Sequence, residues 1–400
     1  MMINVRPMTE QDIPAGATAQ AEAFGWNPES MIQRYADNPT YTWRDAWVVE
    51  EDGEIGAAAL AVPRTWWFGG ASYAVSAIAA VGVRPVARRR GYASQMMRGI
   101  VRADHEAGRP FSLLFPFQHG YYRRLGYATV GLTHFYRVPV SRIHDHPEQR
   151  RRIRAARETD HQAIYDLHRQ SLLGGLGGLE RTARQWTARW TKTDEHWVVY
   201  DHDGLQGYLA YQPIENEISV REIIATTREA ERGLWSFLAA QIEQHTAVTY
   251  HAPTDKPLWS IFREPLMHEA ANRGFVLHDI AALTAGLMAR LVDVPAAFAR
   301  RTFPAEIGGT IVIDLRDSVL EANTGTFQIR FENGHAEITP TTDSATASCD
   351  IVTLSQLFCG VLRAADARWY GQITGDDATV ALLERAFGGV TPFIHPADYF

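Results

Sequence analysis

Hydrophobic and polar positions follow a regular succession over the first 140 residues of the chain. Residues 3–6 alternate as in a short strand, and residues 9–12 indicate the cap and acidic first turn of a helix that runs toward Phe24. Two apolar runs, residues 47–50 and 55–62, flank an Asp-Gly dipeptide. Because Asp-Gly between apolar runs favours a tight turn, this stretch predicts a β-hairpin.

The rest of this stretch continues the alternation of strands and helices. Apolar residues spaced three and four apart predict an amphipathic helix between β-rich runs. The predicted elements are strands over residues 73–83, 111–115 and 128–138, a helix over residues 90–105, and a short helix across Tyr121 and Tyr122. Residues 1–145 are therefore predicted to form a mixed α/β domain around a sheet.

The order of elements then repeats, which predicts a duplicated domain over residues 146–288. An arginine-rich run at residues 150–157 leads into it, and we interpret this run as a solvated helix face. A glycine-rich run at residues 174–178 is predicted to be a flexible loop, because the lysine of a phosphate loop does not follow it. The other predicted elements are helices over residues 163–173 and 233–244 and strands over residues 197–200, 206–211 and 220–225.

The pattern changes again near Leu291, where three β-rich runs precede two helical ones. An Asn-Gly pair at Asn333 marks a turn between two of the strands. The predicted elements are strands over residues 309–314, 326–331 and 336–338 and helices over residues 355–362 and 377–386. Residues 289–400 are predicted to form a third, α+β domain, so the whole chain is assigned to the α/β and α+β class.

Composition and charge exclude several function classes. The formal net charge is −7, which disfavours nucleic-acid binding because that function needs concentrated positive charge. No apolar run approaches the ~20 residues that cross a bilayer, and the N-terminus lacks the pattern of a signal peptide. Cys349 and Cys359 have no partners at zinc-site spacing. We expect a cytoplasmic protein with reduced thiols and with no metal, membrane or nucleic-acid partner.

The clearest chemical feature is the segment over residues 81–94, VGVRPVARRRGYAS. A strand ends here, a short loop with a proline follows, and three arginines and a glycine stand at the first turn of a helix. Free amides at a helix N-terminus bind anions, and the helix dipole adds to the attraction. Gly91 lets the backbone approach the anion, and the arginines add charge-assisted contacts. Because the segment has neither the P-loop nor the Rossmann glycine pattern, it predicts a different kind of phosphate site.

The spacing Val83-x-x-x-x-Arg88-x-x-Gly91-x-Ala93 resembles the acetyl-coenzyme A signature of the GNAT N-acetyltransferases. In that family the strand before the motif splays from its neighbour and pairs with the pantetheine arm, while loop amides hold the pyrophosphate. The resemblance implies acetyl-coenzyme A as co-substrate, with its pantetheine along the strand end. The cofactor-binding residues that it implies are Val81, Val83, Arg88, Arg89, Gly91, Tyr92, Ala93 and Ser94.

A second segment, HGYYRRLGY over residues 119–127, resembles the Y-x-x-x-G-[YF] segment of the Eis-type ("enhanced intracellular survival") acetyltransferases. Those proteins have an N-terminal GNAT domain, a GNAT-like domain without the cofactor motif, and a C-terminal sterol-carrier-protein-like domain. The three predicted domains agree with this order, and residues 226–233 lack the motif where its counterpart would fall. The resemblance implies tandem GNAT folds, a sterol-carrier-like domain and a homo-oligomer, with a hexamer as in the relatives.

The resemblance also implies the catalytic groups. Eis-type enzymes are thought to use the motif tyrosine as general acid and the terminal carboxylate as general base, which here are Tyr122 and Phe400. Tyr121 and Tyr127 compete with Tyr122 for the role of acid. Transfer from a thioester to an amine needs the ammonium deprotonated and a proton delivered to the leaving thiolate. A terminal carboxylate is a poor base unless burial raises its pKa or a water relays the proton.

The sequence indicates the acceptor-binding residues less specifically than the cofactor-binding residues. Phe24 and Trp26 are candidate substrate-binding residues, although ordinary packing accounts for them equally well. Binding of a multi-amine would need carboxylates, and here Gly25 follows Phe24 and Tyr399 precedes the last residue, with Asp398 beside it. This puts aminoglycoside and polyamine acceptors in doubt and leaves aryl and small aliphatic amines open.

We therefore expect an N-acetyltransferase that acts on a small-molecule primary amine. Two alternatives stay open. One is an apolar-ligand or coenzyme A-binding protein with a vestigial GNAT domain. The other is an acyltransferase that uses a different acyl donor.

Overall fold

The computed structural model of the chain describes residues 3–174, 176–264, 279–389 and 391–400. The strands are, in chain order, β1 (Ile3–Pro7), β2 (Ala46–Glu51), β3 (Glu54–Phe68), β4 (Ala71–Val83), β5 (Phe111–Leu114), β6 (Ala128–Thr129), β7 (Leu132–Pro139), β8 (Ile153–Ala155), β9 (Leu176–Leu179), β10 (His196–Asp201), β11 (Leu205–Ile214), β12 (Glu217–Ala225), β13 (Ala247–Pro253), β14 (Ala282–Ala285), β15 (Met288–Leu291), β16 (Gly309–Arg316), β17 (Gly325–Glu332), β18 (His335–Pro340), β19 (Ala347–Asp350) and β20 (Ile373–Gly375).

The α-helices are α1 (Ile13–Phe24), α2 (Pro28–Asp37), α3 (Tyr92–Glu106), α4 (His119–Arg123), α5 (Pro147–Arg150), α6 (His161–Leu173), α7 (Ala183–Trp190), α8 (Arg228–Ala239), α9 (Val294–Arg300), α10 (Ile351–Phe358), α11 (Ala364–Trp369) and α12 (Asp377–Phe387). Short 3-10 helices lie at Glu10–Asp12, Trp43–Asp45, Pro85–Ala87, Val140–Arg142, Glu158–Asp160, Leu258–Ile261, Glu321–Asn323 and Pro396–Asp398. Within these ranges, no helix combines the length and the apolar character that a membrane span requires.

Three sheets organise the described residues. The first has the order β1-β2-β3-β4-β5-β15-β6, with β9 paired to β3, and the second has the order β14-β7-β13-β12-β11-β10-β8. Each contains one parallel pair in its middle, β4 with β5 and β12 with β13. The third sheet has the order β18-β17-β16-β19-β20. Two mixed sheets in succession and a smaller α+β unit confirm the predicted fold class.

The first sheet is covered by a helix on each face, because its inner strand β3 is apolar on both sides. Along β3, Ala57 and Ala59 pack into one buried cluster with Met96 and Ile100 of α3. Ala58, which points to the other face, packs into a second cluster with the small residues of α1. The predicted apolar face of α3 is therefore buried as expected, and the sheet is sandwiched between α1 and α3.

One predicted strand, over residues 128–138, is wrong as a single element. It is two strands: β6 pairs with β15 in the first sheet, whereas β7 pairs with β13 and β14 in the second. The chain crosses between the sheets at Val130 and Gly131, whose amides both donate to the carbonyl of Leu287 at 3.0 Å. A side chain at Gly131 would meet the Leu287 Cβ at 2.5 Å. The apolar run continues through the crossing, so the pattern alone does not reveal it. The boundaries predicted after residues 145 and 288 stay predictions.

The flexible loop predicted over residues 174–178 is also wrong where the structure describes it; Gly175 lies outside the described residues. Gly174 ends α6, and residues 176–179 form β9, which pairs antiparallel with β3. Trp66 of β3 donates from Nε1 to the Gly177 carbonyl at 2.7 Å. Gly177 has a φ of 95°, and a Cβ there would lie 2.8 Å from the Pro392 Cα. Glycine is needed because the C-terminal tail, residues 391–400, packs directly on this strand.

A buried ion network fixes the tail. Arg181, just after β9, donates to Asp398 from both Nε and Nη2 at 2.6 Å. The same guanidinium donates to both carboxylate oxygens of Glu222 on β12 at 3.0 Å. Glu222 also accepts from Arg189 of α7 at 2.6 Å. We call Arg181, Glu222 and Asp398 the tail clamp; all three are buried.

The tail clamp fills an opening in the second sheet. β12 pairs with β13 only from Glu217 to Val220, so the rest of β12 has no strand on that side. Arg221 donates from Nη2 to the Pro396 carbonyl at 2.9 Å, and Glu222 binds the tail through Arg181. The 3-10 helix of the tail therefore lies against the half of β12 that β13 leaves open.

His168 completes this buried cluster. Among the described residues, His168, Glu222 and Asp398 each place one ligand atom within 4.8 Å of the others, a spacing that a metal ion could use. Here the carboxylate oxygens bind the guanidinium groups of Arg181 and Arg189, which supply the positive charge. Burial, together with the positive charge of Arg181, lowers the pKa of His168 to about 4. The imidazole is therefore neutral at neutral pH.

The third sheet is joined to the first by an aromatic cluster. Phe387 of α12 packs at 5.8 Å from the rings of Phe298 and Phe358. The Arg301 guanidinium lies 4.8 Å from the Phe358 ring and 5.4 Å from that of Phe68 on β3. Burial lowers the pKa of Arg301, and its Nη1 donates to the Phe358 carbonyl. This cation among aromatic rings links the two sheets.

Acidification is expected to destabilise the protein through His168. The unfolded chain takes up a proton near the ordinary histidine pKa of about 6.5, whereas the folded chain resists protonation down to about 4. Protons therefore favour the unfolded state in this window, and stability present above pH 6.5 is lost as the pH falls. We expect His168→Gln to remove about 2 kcal/mol of the stability difference between about pH 7.5 and about pH 5. Urea unfolding at the two pH values measures it, with His335→Gln, at an exposed position, as the control. An unchanged difference in His168→Gln would contradict the assignment.

Phe387→Ala is expected to destabilise the third domain by about 3–5 kcal/mol, because it leaves a cavity among packed aromatic rings. Trp369→Ala, at a side chain that is 84% exposed in the same domain, is the matched control and should cost little. Chemical unfolding followed by near-UV circular dichroism measures both. A loss in Phe387→Ala no larger than that in the control would show that the cluster does not hold the domain.

Candidate active site

The end of β4 is the structural centre of the candidate site. β4 runs parallel to β5 only as far as Ile78, which pairs with Leu114, the last residue of β5. Beyond that point β4 continues to Val83 and stays paired with β3 on its other side. Residues 79–83 therefore have no strand neighbour on the side of β5. Val81 and Val83 lie on this open edge, where backbone groups are available to a ligand.

A β-bulge shapes this strand end. The register with β3 shifts between Ala58 and Leu60, and Ala80 has a φ of 48°. The Ala80 carbonyl accepts from Gln20 Nε2 at 2.9 Å, and Gln20 in turn accepts from the Tyr35 hydroxyl at 2.5 Å. A bulge bends its strand, and here a buried hydrogen-bond chain from α2 through α1 holds the bend. The sequence analysis missed Gln20 and Tyr35; a polar residue among the small apolar residues of α1 is the only signal.

The arginine-rich loop after β4 forms an anion cradle. Arg89 and Gly91 have φ values of 64° and 83° on either side of Arg90. Such alternation curls the backbone so that successive amides converge on one point. α3 begins directly after it, and the first amides of a helix have no intrahelical acceptor. Arg88, Arg89 and Gly91 are exposed, so the loop can bind a diphosphate with both amides and charge.

The side chain of Tyr92 packs into the sheet and not toward the cradle. Its ring is buried, 3% exposed, and its hydroxyl donates to Glu51 at the end of β2. Gly56 makes room for the ring, since a Cβ there would lie 2.3 Å from it. The side chain therefore anchors the start of α3 to the sheet, and only the backbone of Tyr92 is left for the cradle. Ala93 and Ser94 follow on α3 and are half-buried.

Tyr122 lies on α4 and faces the same strand end. Its ring packs edge-on against Tyr121 at 4.9 Å, in the buried cluster against which Val81 and Val83 also pack. Burial raises the pKa of Tyr122 well above its ordinary value, so the phenol is protonated at neutral pH. Such a group can donate a proton and cannot readily accept one.

Hydrogen bonding distinguishes the three tyrosines of this segment. The Tyr127 hydroxyl is buried and shares a hydrogen bond of 2.7 Å with Ser112. The Tyr121 hydroxyl accepts from Ser94 Oγ at 3.4 Å. The Tyr122 hydroxyl has no hydrogen-bond partner in the described part of the chain, which leaves it free for a ligand.

Gly126 of the same segment is explained by a contact with β15. It has a φ of 86°, and a Cβ there would lie 1.6 Å from Arg290 Nη1. Arg290 donates to the Leu125 carbonyl at 2.7 Å and to Asp317 at 2.5 Å. The turn that follows Tyr122 is thus held by a buried ion pair that reaches from the first sheet to the loop after β16.

A cavity of about 460 Å³ opens on the other face of the strand end. Ala79 and Ala80 of β4 line it, and the Phe24 and Trp26 rings, stacked at 4.6 Å, form another part of its wall. Phe400, the last residue, lines it as well, with its ring 5.1 Å from that of Phe115, the residue after β5. We call this space the β4 cavity.

The predicted site residues thus gather around one strand end, in two groups. Phe24, Trp26 and Phe400 lie at the β4 cavity. Tyr122 is not among the residues that line it and approaches the strand end from the face of Val81 and Val83. The tail clamp, two residues before the C-terminus, delivers Phe400 to the cavity. Sequence reasoning missed Arg181 and Glu222, since no local pattern marks a pair that meets only through the fold.

Comparisons with known proteins agree with this architecture. Residues 4–130 and 177–291 each match a family described as an acetyltransferase (GNAT) domain, and residues 294–395 match the sterol carrier protein domain. An uncharacterized N-acetyltransferase of Streptomyces griseus is 30% identical over 325 residues, which cover 73% of this chain and 74% of that protein. The N-acetyltransferase Eis of Mycobacterium tuberculosis is 26% identical over 418 residues, 98% of each chain.

The fold has solved counterparts. The crystal structure of a GCN5-related N-acetyltransferase from Anabaena variabilis covers 100% of both chains with a TM-score of 0.86 at 20% identity. Since the family matches follow one another along the chain in the order of the three sheets, with an open strand end and an anion cradle in the first, the chain belongs to the Eis-type GNAT N-acetyltransferases, which end in a sterol carrier protein domain.

Proposed function

We propose that this protein transfers an acetyl group from acetyl-coenzyme A to a small primary amine bound in the β4 cavity. The observation that carries the proposal is the open end of β4, residues 79–83. It adjoins the anion cradle, the free Tyr122 hydroxyl and the cavity that Phe400 lines. A thioester donor, a proton donor and an acceptor amine would therefore meet at one place, which is the main requirement for direct transfer.

The residues around the open strand fit acetyl-coenzyme A, which supplies the activated acetyl group as in other GNAT acetyltransferases. The backbone groups of Val81 and Val83 are positioned to pair with an extended amide-containing chain. The amides at Gly91, Tyr92, Ala93 and Ser94 and the side chains of Arg88 and Arg89 are suited to a diphosphate. No negative side chain of the motif opposes this binding.

We assign proton transfer to the Tyr122 hydroxyl and to the terminal carboxylate of Phe400. The deprotonated amine would form a carbon–nitrogen bond with the thioester carbonyl carbon. Tyr122, whose burial keeps it protonated, would donate a proton to the sulfur as the carbon–sulfur bond breaks, and would recover one from the nitrogen as the amide forms. The Phe400 carboxylate would accept a proton from the acceptor ammonium, directly or through a water. Among the described residues, no positively charged side chain lies within 4.0 Å of this carboxylate, the limit for an ion pair. Its negative charge is therefore available to the acceptor.

The alternative of an apolar-ligand protein finds less support. An apolar ligand of the third domain would need interior space there. Phe298, Phe303, Phe358 and Phe387 fill the interior that packs against the first sheet, around the Arg301 guanidinium. A cavity of about 300 Å³ lies beside Phe387 in this domain, but the charged residues Arg363 and Glu384 form part of its wall. For the wider setting, we propose a cytoplasmic homo-oligomer, hexameric as in the relatives.

Extension of the chain beyond Phe400 tests the assigned base. Adding Gly-Ser-Gly moves the carboxylate away from the β4 cavity, and we expect kcat to fall by roughly 100-fold or more, the usual contribution of general base catalysis. Thiol release from acetyl-coenzyme A with benzylamine measures this. The same three residues at the N-terminus serve as the control, and a thermal shift with coenzyme A shows whether binding persists. An extended chain as active as the wild type would place the base elsewhere.

Tyr122→Phe tests the assigned acid, because it removes the hydroxyl and keeps the ring that packs in the cluster. We expect kcat to fall by roughly 100-fold or more, with little change in the melting temperature or in coenzyme A binding. Tyr121→Phe is the matched control on the neighbouring residue and should retain most of the activity. If Tyr121→Phe loses more activity than Tyr122→Phe, the two roles are reversed.

A further inference from the structure

The β4 cavity is lined by more positive than negative groups. The negative groups at its wall are Asp398 and the terminal carboxylate of Phe400. The positive groups are Arg34, Arg64, Arg181, Arg189 and Lys192. A cavity built for a polycation would have the opposite balance.

Two of these cations are already neutralised. Arg181 binds Asp398 and Glu222 in the tail clamp, and Arg189 binds Glu222 and Glu195. Even with Glu195 and Glu222 counted, five cations face four anions around the cavity. Among the described residues, Arg34, Arg64 and Lys192 are left without a carboxylate partner, and the Phe400 carboxylate is the anion at the wall that is left without a cation.

Arg64 is the cation best placed to hold an anionic group of a ligand. It extends from β3, is half-buried, and donates from Nη2 to the Glu180 carbonyl at 3.3 Å. It forms no ion pair within the described ranges, and burial lowers its pKa, as expected for a cation that has lost water without gaining a carboxylate. A half-buried guanidinium with free donors is a strong site for a carboxylate.

The other two unpaired cations lie nearer the opening. Arg34 extends over the Trp26 ring at 5.2 Å, and Lys192 follows α7; both are exposed and have no ion pair in the described part of the chain. They are suited to attract an anionic ligand into the cavity. The stacked Phe24 and Trp26 rings, 44% and 39% exposed, offer a flat apolar surface beside them.

We propose that the acceptor is a primary amine that also carries a carboxylate on an aromatic or apolar body. The amine lies toward the Phe400 carboxylate, the body lies against Phe24 and Trp26, and the carboxylate binds Arg64. This inference rests on the proposed function, because it uses the same cavity and the same terminal carboxylate. It gives Arg64 a role in acceptor specificity that polyamine binding would not require.

A structural role for Arg64 makes a different prediction. Arg64 lies near Asp398 and its charge favours the ionised carboxylate there, so it also contributes to the electrostatics of the tail clamp. If that is its whole role, removing its charge will weaken every acceptor equally and lower the melting temperature. If it binds the acceptor carboxylate, only acceptors with a carboxylate will be affected.

Three amines built on the benzylamine scaffold separate these cases: 4-(aminomethyl)benzoate, benzylamine and 4-(aminomethyl)benzylamine, which are anionic, neutral and cationic at the far end. 6-Aminohexanoate and pentylamine, which differ by a carboxylate at the far end, form a second, flexible pair. In the wild type we expect the carboxylate member of each set to have a kcat/KM at least about tenfold above the others, mainly through KM, as for one charge-assisted contact. In Arg64→Gln we expect this preference to disappear, because the kcat/KM for the carboxylate amines falls by at least about tenfold relative to that for benzylamine in the same variant. Arg169→Gln, at an exposed position on α6, is the matched control.

Isothermal titration of the same amines into the protein saturated with coenzyme A provides a readout without turnover. Arg64-dependent binding of the carboxylate amines, with no acetylation of any amine, would refute the proposed function and uphold the charge inference. Equal or tighter binding and turnover of the neutral or cationic amines would overturn the charge inference and leave the proposed function intact. An equal loss for all amines in Arg64→Gln would also overturn it.

Discussion

The arrangement of this protein depends on one buried interaction, the binding of Asp398 and Glu222 by Arg181. Charges removed from water are costly unless they are fully paired, and here both carboxylates and both guanidinium groups, including that of Arg189, satisfy one another. The network joins the strand after α6, the central strand of the second sheet and the C-terminal tail. Loss of one partner from a buried ion pair leaves an uncompensated charge and strongly destabilises the folded protein. The network therefore fixes the position of the last residues of the chain.

Each of the two GNAT sheets has a central strand that lacks a neighbouring strand over part of its length, and this opening is occupied differently in the two sheets. In each, a parallel pair ends early and leaves half of a strand without a neighbour, β4 in the first sheet and β12 in the second. In the first, the opening adjoins the anion cradle and stays free. In the second, the tail occupies it, through Arg221 and the tail clamp. The domain without a cofactor motif therefore acts as a holder that carries Phe400 to the site of its neighbour.

Much of the fold could be predicted, because local signals were strong. The hairpin at Asp52 and Gly53, the apolar face of α3 and the turn at Asn333 each follow from short-range spacing and turn chemistry. Helix limits were less secure: α8 begins at Arg228 rather than Gly233, and α10 spans Ile351–Phe358 rather than residues 355–362. The errors at residues 128–138 and 174–178 have one cause, since in both places the neighbouring chain is supplied by a distant segment.

The sequence by itself determined the family, the location of the anion cradle and the residues that could bring chemistry to it, because these depend on residues close together in the chain. Only the tertiary structure decided that Phe24, Trp26 and Phe400 share one cavity, that Tyr92 points its ring into the sheet, and that Arg181 holds the tail. The charge of the β4 cavity was likewise decided only by the tertiary structure. Its residues come from β3, α2, α7 and the tail, and a net charge of −7 for the whole chain says nothing about which cations the fold leaves unpaired in one place.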